Sequence, residues 1–216
     1  MSLCVEFVQG SLTDGRELVL VNASNTNAEL GSGVSGAIRR ACGPRFQAQV
    51  LEALQSRFAG PMPPGEVLLT LAGAHPTAKW VAHVAVMDYR KGMGPHSFPT
   101  LDTVRKGCAR LWEVLETLPG PEPLSVAMVA VGAGTGDLAV GESARVAVET
   151  LKAHEQRTKS SRIARVRFYG FLAHELVPMA KALAQEYPDV LQRLPAEVRH
   201  GLKSASASSG RWPSAR

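Results

Sequence analysis

An apolar run that stops dead at two asparagines sets the terms for this chain. Val19, Leu20 and Val21 lead into Asn22-Ala23-Ser24-Asn25, and a glycine-rich turn, Gly31-Ser32-Gly33, opens a small-residue segment through Gly36, Ala37 and Ile38. A short apolar run bounded by turn residues reads as a buried strand. Glycines permit positive φ and let a backbone approach a ligand closely. Peptide N–H groups at a loop-to-helix junction attract anions, phosphate above all. The two amides can both donate and accept, which suits a sugar hydroxyl or a base edge. Together these features predict a strand, a phosphate cradle and a helix in succession, with Asn22 and Asn25 at the mouth.

The rest of the chain repeats this plan. Strands are expected over 3–8, 17–22, 67–71, 79–87, 124–131 and 163–169, and helices over 34–42, 44–58, 100–118, 141–154 and 174–187. Alternation of strands and helices implies a layered α/β fold with a largely parallel sheet. A second glycine-rich turn, Gly132-Ala133-Gly134-Thr135-Gly136-Asp137, also follows a strand directly. Ligands in such sheets sit at the carboxyl ends of the strands, so both turns belong on that edge.

Gly31-x-Gly33-x-x-Gly36 matches the letters of a dinucleotide fingerprint. That fingerprint sits tight against its strand and is followed by an acidic residue at the end of the next strand. Here nine residues separate Val21 from Gly31, and Glu52 falls inside a helical pattern. The second turn lacks the Lys-Ser/Thr of a Walker-type loop.

The order of parts resembles the macrodomain family. Asn22-Ala23-Ser24-Asn25 and Gly31-Ser32-Gly33-Val34-Ser35-Gly36-Ala37-Ile38 are similar to its strand-end and loop-helix motifs. Val81 to Met87 is similar to its inner histidine-bearing strand, and Val131 to Val140 to its second phosphate loop. The resemblance spans residues 3–187. It implies a three-layer α/β/α fold around a mixed, largely parallel six-stranded sheet, and ADP-ribose or an ADP-ribosylated protein as partner, with no cofactor and no metal. It places Gly10, Ser11 and Leu12 against adenine, with Phe171 available to stack on it. It gives the diphosphate to the amides of Ser32, Gly33, Val34, Gly134, Thr135, Gly136 and Asp137, and the distal ribose to Asn25. Asn25 and Ser35 are the candidate catalytic positions. The family has aspartate where Ser11 and Ser35 stand, and a serine at 35 is no match for a carboxylate as general base at pH 7. The expectation is therefore an ADP-ribose binder with weak hydrolase activity toward ADP-ribosyl adducts or O-acetyl-ADP-ribose. The alternatives are a non-catalytic reader and a single-stranded RNA binder.

His83 reads as a core histidine, and Asp88 and His96 as weaker site candidates. The net charge is +5, and residues 189–216 hold five Lys/Arg against two Asp/Glu. The remainder is close to neutral, which argues against duplex DNA as a partner. The arginines between 157 and 167 read as a solvated face. Three separated cysteines support neither a disulfide framework nor a zinc cage. No leader or membrane-length apolar run is evident, so the chain reads as cytoplasmic, with its oligomeric state open. Residues 1–188 form the expected domain. Residues 189–216 are a short helical extension followed by a low-complexity tail.

Overall fold

The structure, a computed structural model, describes residues 3–196 and 198–202. Six strands form one sheet: β1 (Cys4–Gln9), β2 (Val19–Asn25), β3 (Val67–Leu71), β4 (Trp80–Met87), β5 (Leu124–Met128) and β6 (Ile163–Gly170). Their order is β1-β6-β5-β2-β4-β3, parallel throughout except for the antiparallel edge pair β3–β4. Among the described residues, the helices that cover it are α1 (Gly33–Cys42), α2 (Phe46–Phe58), α3 (Leu101–Glu116), α4 (Val140–Arg157) and α5 (Ala173–Glu186). This is the layered α/β arrangement expected from the alternation, in the three-layer form that the resemblance implies.

Alternate residues of each strand face opposite layers. On β2, Val19 and Val21 join the core beneath α3, α4 and α5, while Leu20 joins the core beneath α1 and α2. On β4, Ala82, Val84 and Val86 face the first layer, and Val81 and Ala85 the second. Both faces of these central strands are buried, which is why their sequences are nearly continuous apolar runs.

Among the boundaries that differ from the expectation, two bear on the site. β2 runs on to Asn25 rather than ending at Asn22, because residues 22–25 continue to pair with β4. β5 stops at Met128 rather than Val131. Ala130 and Val131 are apolar, but the chain is already turning there, with Ala133 N–H donating to Ala130 O.

The arginine-rich segment is a solvated face in part, with Arg157, Lys159 and Arg165 exposed, and is in part engaged within the protein. Arg167 pairs with Glu6 and with buried Glu17, both at 2.6 Å, and Arg162 donates to the carbonyls of Leu118 and Glu122.

The chain beyond 188 packs on the domain as far as it is described. A 3₁₀ helix (Pro188–Arg193) follows α5, and Val190, Leu194 and Val198 are each at most 2% exposed within the α3–α5 core. The low-complexity run expected to be a tail lies outside the described residues. Truncation after residue 188 is therefore expected to cost at least about 3 kcal/mol, from the lost burial of three aliphatic side chains. The melting temperature should fall by roughly 6 °C or more. Nucleotide affinity at a temperature where the truncated chain is folded should change little, since no described residue beyond 188 lines the cleft described next. Thermal denaturation of the two chains checks the first expectation and calorimetry the second.

Candidate functional site

Both glycine turns lie at the carboxyl edge of the sheet, and a cleft of about 820 Å³ runs between them. One wall is the amino end of α1. Ser32 is its N-cap in extended backbone with no side-chain capping bond, so the first amides of the helix receive no oxygen from that side chain. Such amides are available to an anion. Gly33 has φ +56°, and a Cβ placed there would meet no atom within 4 Å, because it would point into the open cleft.

The opposite wall is the loop between β5 and α4. Leu138 N–H donates to Gly132 O and Asp137 N–H to Gly134 O, coiling residues 132–138 tightly. At Gly136 a Cβ would lie 2.3 Å from Gly132 O and 2.6 Å from Pro99 Cγ, so only glycine fits. The 3₁₀ turn Leu12–Asp14 closes one end of the cleft. There Ser11 Oγ accepts from Thr13 N–H and caps its own turn.

Phe171 stands at the rim, 68% exposed, although it follows a buried strand. Glu175, in the first turn of α5, accepts from the amides of both Phe171 and Leu172 through one carboxylate oxygen, at 2.8 and 2.9 Å. That clamp fixes the backbone that carries the exposed ring. An exposed aromatic on a fixed backbone is a stacking surface for a planar ligand.

Of the expected site residues, Ser11, Leu12, Ser32, Gly33, Val34, Ser35, Gly134, Thr135, Gly136 and Phe171 line the cleft. Asn22, Asn25 and Asp137 do not. Asp137 has φ +59° and serves the turn of its own loop.

Asn25 is committed to the segment that follows it. Its Oδ1 accepts from the amides of Asn27 (3.0 Å) and Glu29 (3.2 Å), and its Nδ2 donates to Glu29 O (3.0 Å). An asparagine at the end of a strand has backbone partners two to four residues on, and here these occupy Oδ1 twice and one of the two Nδ2 protons, which leaves one amide proton to donate. Gln47 of α2 clamps the same loop, accepting from Leu30 N–H and donating to Ala28 O.

Asn22 lies beneath the cleft, fully buried, in a chain of polar side chains drawn from four elements. Ser35 Oγ–H donates to Asn22 Oδ1 at 2.8 Å, with Ala23 O as a second acceptor at 3.1 Å. Asn22 Nδ2 donates to His83 Nδ1 at 3.1 Å, and His83 Nε2–H donates to Thr70 Oγ1 at 3.1 Å. Because Asn22 Nδ2 can only donate, Nδ1 of His83 is the acceptor and the ring is neutral. Complete burial, with Phe46 stacked at a centroid distance of 6.0 Å, pushes the His83 pKa down to about 3. His83 is thus a satisfied core histidine, as expected. Each polar group in this chain has a partner, as burial demands.

Three charged residues line the cleft that sequence reasoning did not single out: Asp14, Arg40 and Glu175. All sit on helical turns where a charge ordinarily marks a solvated face. Asp88 pairs with Arg90 through two bonds of 2.8 and 2.7 Å, which holds its carboxyl at about 2, and neither Asp88 nor His96 reaches the cleft. Among the described residues no group of acidic, histidine and cysteine side chains is arranged to hold a metal ion. No helix among them is long and apolar enough to cross a membrane.

A family model described as "Macro domain" matches residues 21–147. A macro domain-containing protein of Streptomyces griseus is 31% identical over 186 residues, covering 85% of this chain and 97% of its own length. A protein of Klebsiella pneumoniae named O-acetyl-ADP-ribose deacetylase is 29% identical over 188 residues, covering 87% of this chain and 100% of its own. Among solved structures, a substituted macrodomain of Oceanobacillus iheyensis superposes with a TM-score of 0.69 at 21% identity, covering 84% of this chain and 87% of that one. The Trypanosoma brucei macrodomain in complex with ADP-ribose gives a TM-score of 0.67 at 23% identity, covering 83% and 68%. At these identities the structural likeness bears on the fold.

Proposed function

The chain belongs to the macro domain family, and from that premise we propose that its cleft binds ADP-ribose, free or as an adduct on a protein. The observation that carries this reading is the meeting of two glycine-rich loops across one cleft at the carboxyl edge of the sheet. A diphosphate between them would receive backbone N–H groups from the start of α1 on one side and from residues 134–136 on the other. The adenine would lie toward Ser11 and Leu12, against the Phe171 ring at the rim. The solved neighbour from Trypanosoma brucei, which contains ADP-ribose, supports this choice of ligand.

Turnover is a second and separate reading, favoured by the name of the Klebsiella relative. Ser35 stands at the cleft with its hydroxyl turned inward, onto Asn22 and Ala23. Of the two carboxylates on the lining, Glu175 is occupied by two amides, and Asp14 sits on the turn at the end of the cleft. A free carboxylate able to deprotonate water is therefore missing from the α1 wall. We assign the protein to slow hydrolysis of ADP-ribosyl esters at most, with binding as its principal activity. Without general-base assistance, a rate deficit of about 10²–10⁴-fold relative to an enzyme that has it is expected.

The test is calorimetric titration with ADP-ribose, ADP, AMP and NAD, followed by single-turnover release of ADP-ribose from a mono-ADP-ribosylated protein. Selective binding of ADP-ribose is the expected result. Equal affinity for AMP and ADP-ribose would overturn the placement of the diphosphate.

A further inference from the structure

Arg40 lies on α1 one turn after Gly36, on the wall that also carries Gly33 and Ala37. Helical side chains lean toward the amino end of their helix, so this guanidinium is directed back along the wall rather than outward. Its position agrees with that direction. A Cβ built on Gly36 would lie 3.5 Å from Arg40 Nη1 and 2.8 Å from Gly31 O. The guanidinium therefore rests over the first turn of α1, beside the glycine loop.

Two further observations set it apart. It makes no ion pair with Asp14 or any other described carboxylate. Among the described residues it is also the one basic side chain on the lining, where Asp14 and Glu175 contribute two carboxylates. Without Arg40, the side chains of this cleft would present only negative charge to an anionic ligand. An unpaired guanidinium beside uncapped helix amides can offer planar, paired donors to a phosphate oxygen.

We propose that Arg40 is a ligand-binding residue that faces the diphosphate and makes this cleft select the doubly charged linkage over a neutral nucleoside. The assignment rests on the reading of the cleft given above. It adds a salt-sensitive, side-chain component to a site otherwise built from backbone. Arg40 is exposed and near the carboxyl end of its helix, where glutamine is an adequate helix former, so Arg40→Gln should fold normally.

The experiment measures affinity for ADP-ribose, ADP and adenosine in the wild type, Arg40→Gln and Arg40→Lys, each at about 0.02 M and 0.5 M salt, concentrations that bracket weak and strong screening. Loss of one charge-assisted contact should weaken ADP-ribose and ADP by about tenfold at low salt, with adenosine unchanged. The salt dependence of ADP-ribose binding should flatten in Arg40→Gln and return in Arg40→Lys. Unchanged ADP-ribose affinity in folded Arg40→Gln would overturn the proposal while leaving the reading of the cleft intact. An equal loss for adenosine would overturn it too, since the side chain would then act by packing. A wild type that binds ADP but not ADP-ribose would refute the choice of ligand, and the Arg40 comparison would stand or fall on ADP. Binding of neither would overturn both.

Discussion

Gly33→Glu is expected to abolish ADP-ribose binding in a domain that still folds. Gly33 has φ +56° and nothing within 4 Å of the position a Cβ would take. The new side chain would therefore find space, and the space is the cleft itself. Holding a non-glycine residue in the left-handed region costs about 1–2 kcal/mol, a visible but tolerable loss of stability. The effect on the ligand is larger. A carboxylate set about 4 Å from a phosphate repels it by about 1–4 kcal/mol, between the screening of water and that of a protein surface. Steric displacement of the diphosphate from the α1 amides adds to this, so affinity should fall at least about a hundredfold. Gly33→Ala separates the two contributions. It should carry the same conformational strain, and the same drop in melting temperature, while keeping most of the affinity. If folded Gly33→Glu binds as the wild type does, the α1 loop is not part of the site.

The backbone of this site is readable from the sequence because glycines report their surroundings. Gly33 and Gly136 stand where a Cβ would fill the cleft or collide with the chain, and both fall in glycine-rich turns that come after predicted strands. Strand β3 appears within the bounds its apolar run predicts, at Val67–Leu71. The side-chain chemistry is harder to read, and the reason differs from residue to residue. Asn25 competes for two sets of partners, a ligand and its own loop, and only the folded chain shows that Asn27 and Glu29 hold it. Asn22 meets His83, 61 positions away in sequence, because β2 and β4 pair in register. No local pattern encodes that register. Arg40, Asp14 and Glu175 escape notice because periodicity assigns charges on helical turns to solvent. At the edge of a cleft the same exposure puts them on its lining. The arginines of β6 follow their alternation only in part: Arg165 is exposed, as a wet face requires, while Glu6 and buried Glu17 neutralise Arg167.

The buried chain from Ser35 to Thr70 makes the consequence of Ser35→Asp specific. A simple argument from function would expect the aspartate to supply the missing base and speed hydrolysis. The geometry opposes this. Ser35 is only 8% exposed, and its Oγ faces two acceptors, Asn22 Oδ1 and Ala23 O. A carboxylate in that place has no proton to give either of them. The buried network can respond, because each member can reverse its polarity. The Asn22 amide would turn to donate from Nδ2 to the introduced carboxylate, and its Oδ1 would then face His83. His83 would move its proton to Nδ1, and Thr70 would donate to Nε2. This rearrangement satisfies one carboxylate oxygen but leaves Ala23 O opposed, at a cost of about 1–3 kcal/mol for a buried polar group without its partner. A negative charge in the first turn of α1 recovers about 0.3–1 kcal/mol from the helix dipole. The balance is a loss of about 1–2 kcal/mol, or roughly 2–8 °C in melting temperature for a chain of this length. A carboxylate captured by Asn22 is turned away from the water it would have to activate. Hydrolysis of an ADP-ribosyl ester should therefore stay within about threefold of wild type, far short of the roughly 10²–10⁴-fold that a working base contributes. Nitrogen chemical shifts of the imidazole, read by NMR in both proteins, report the tautomer of His83 directly. The expected result is a proton on Nε2 in the wild type and on Nδ1 in Ser35→Asp, with a lowered melting temperature and little new activity. An unshifted tautomer together with a large gain in hydrolysis would mean that the carboxylate points into the cleft, and that the inward hydroxyl of Ser35 does not foretell where its replacement goes.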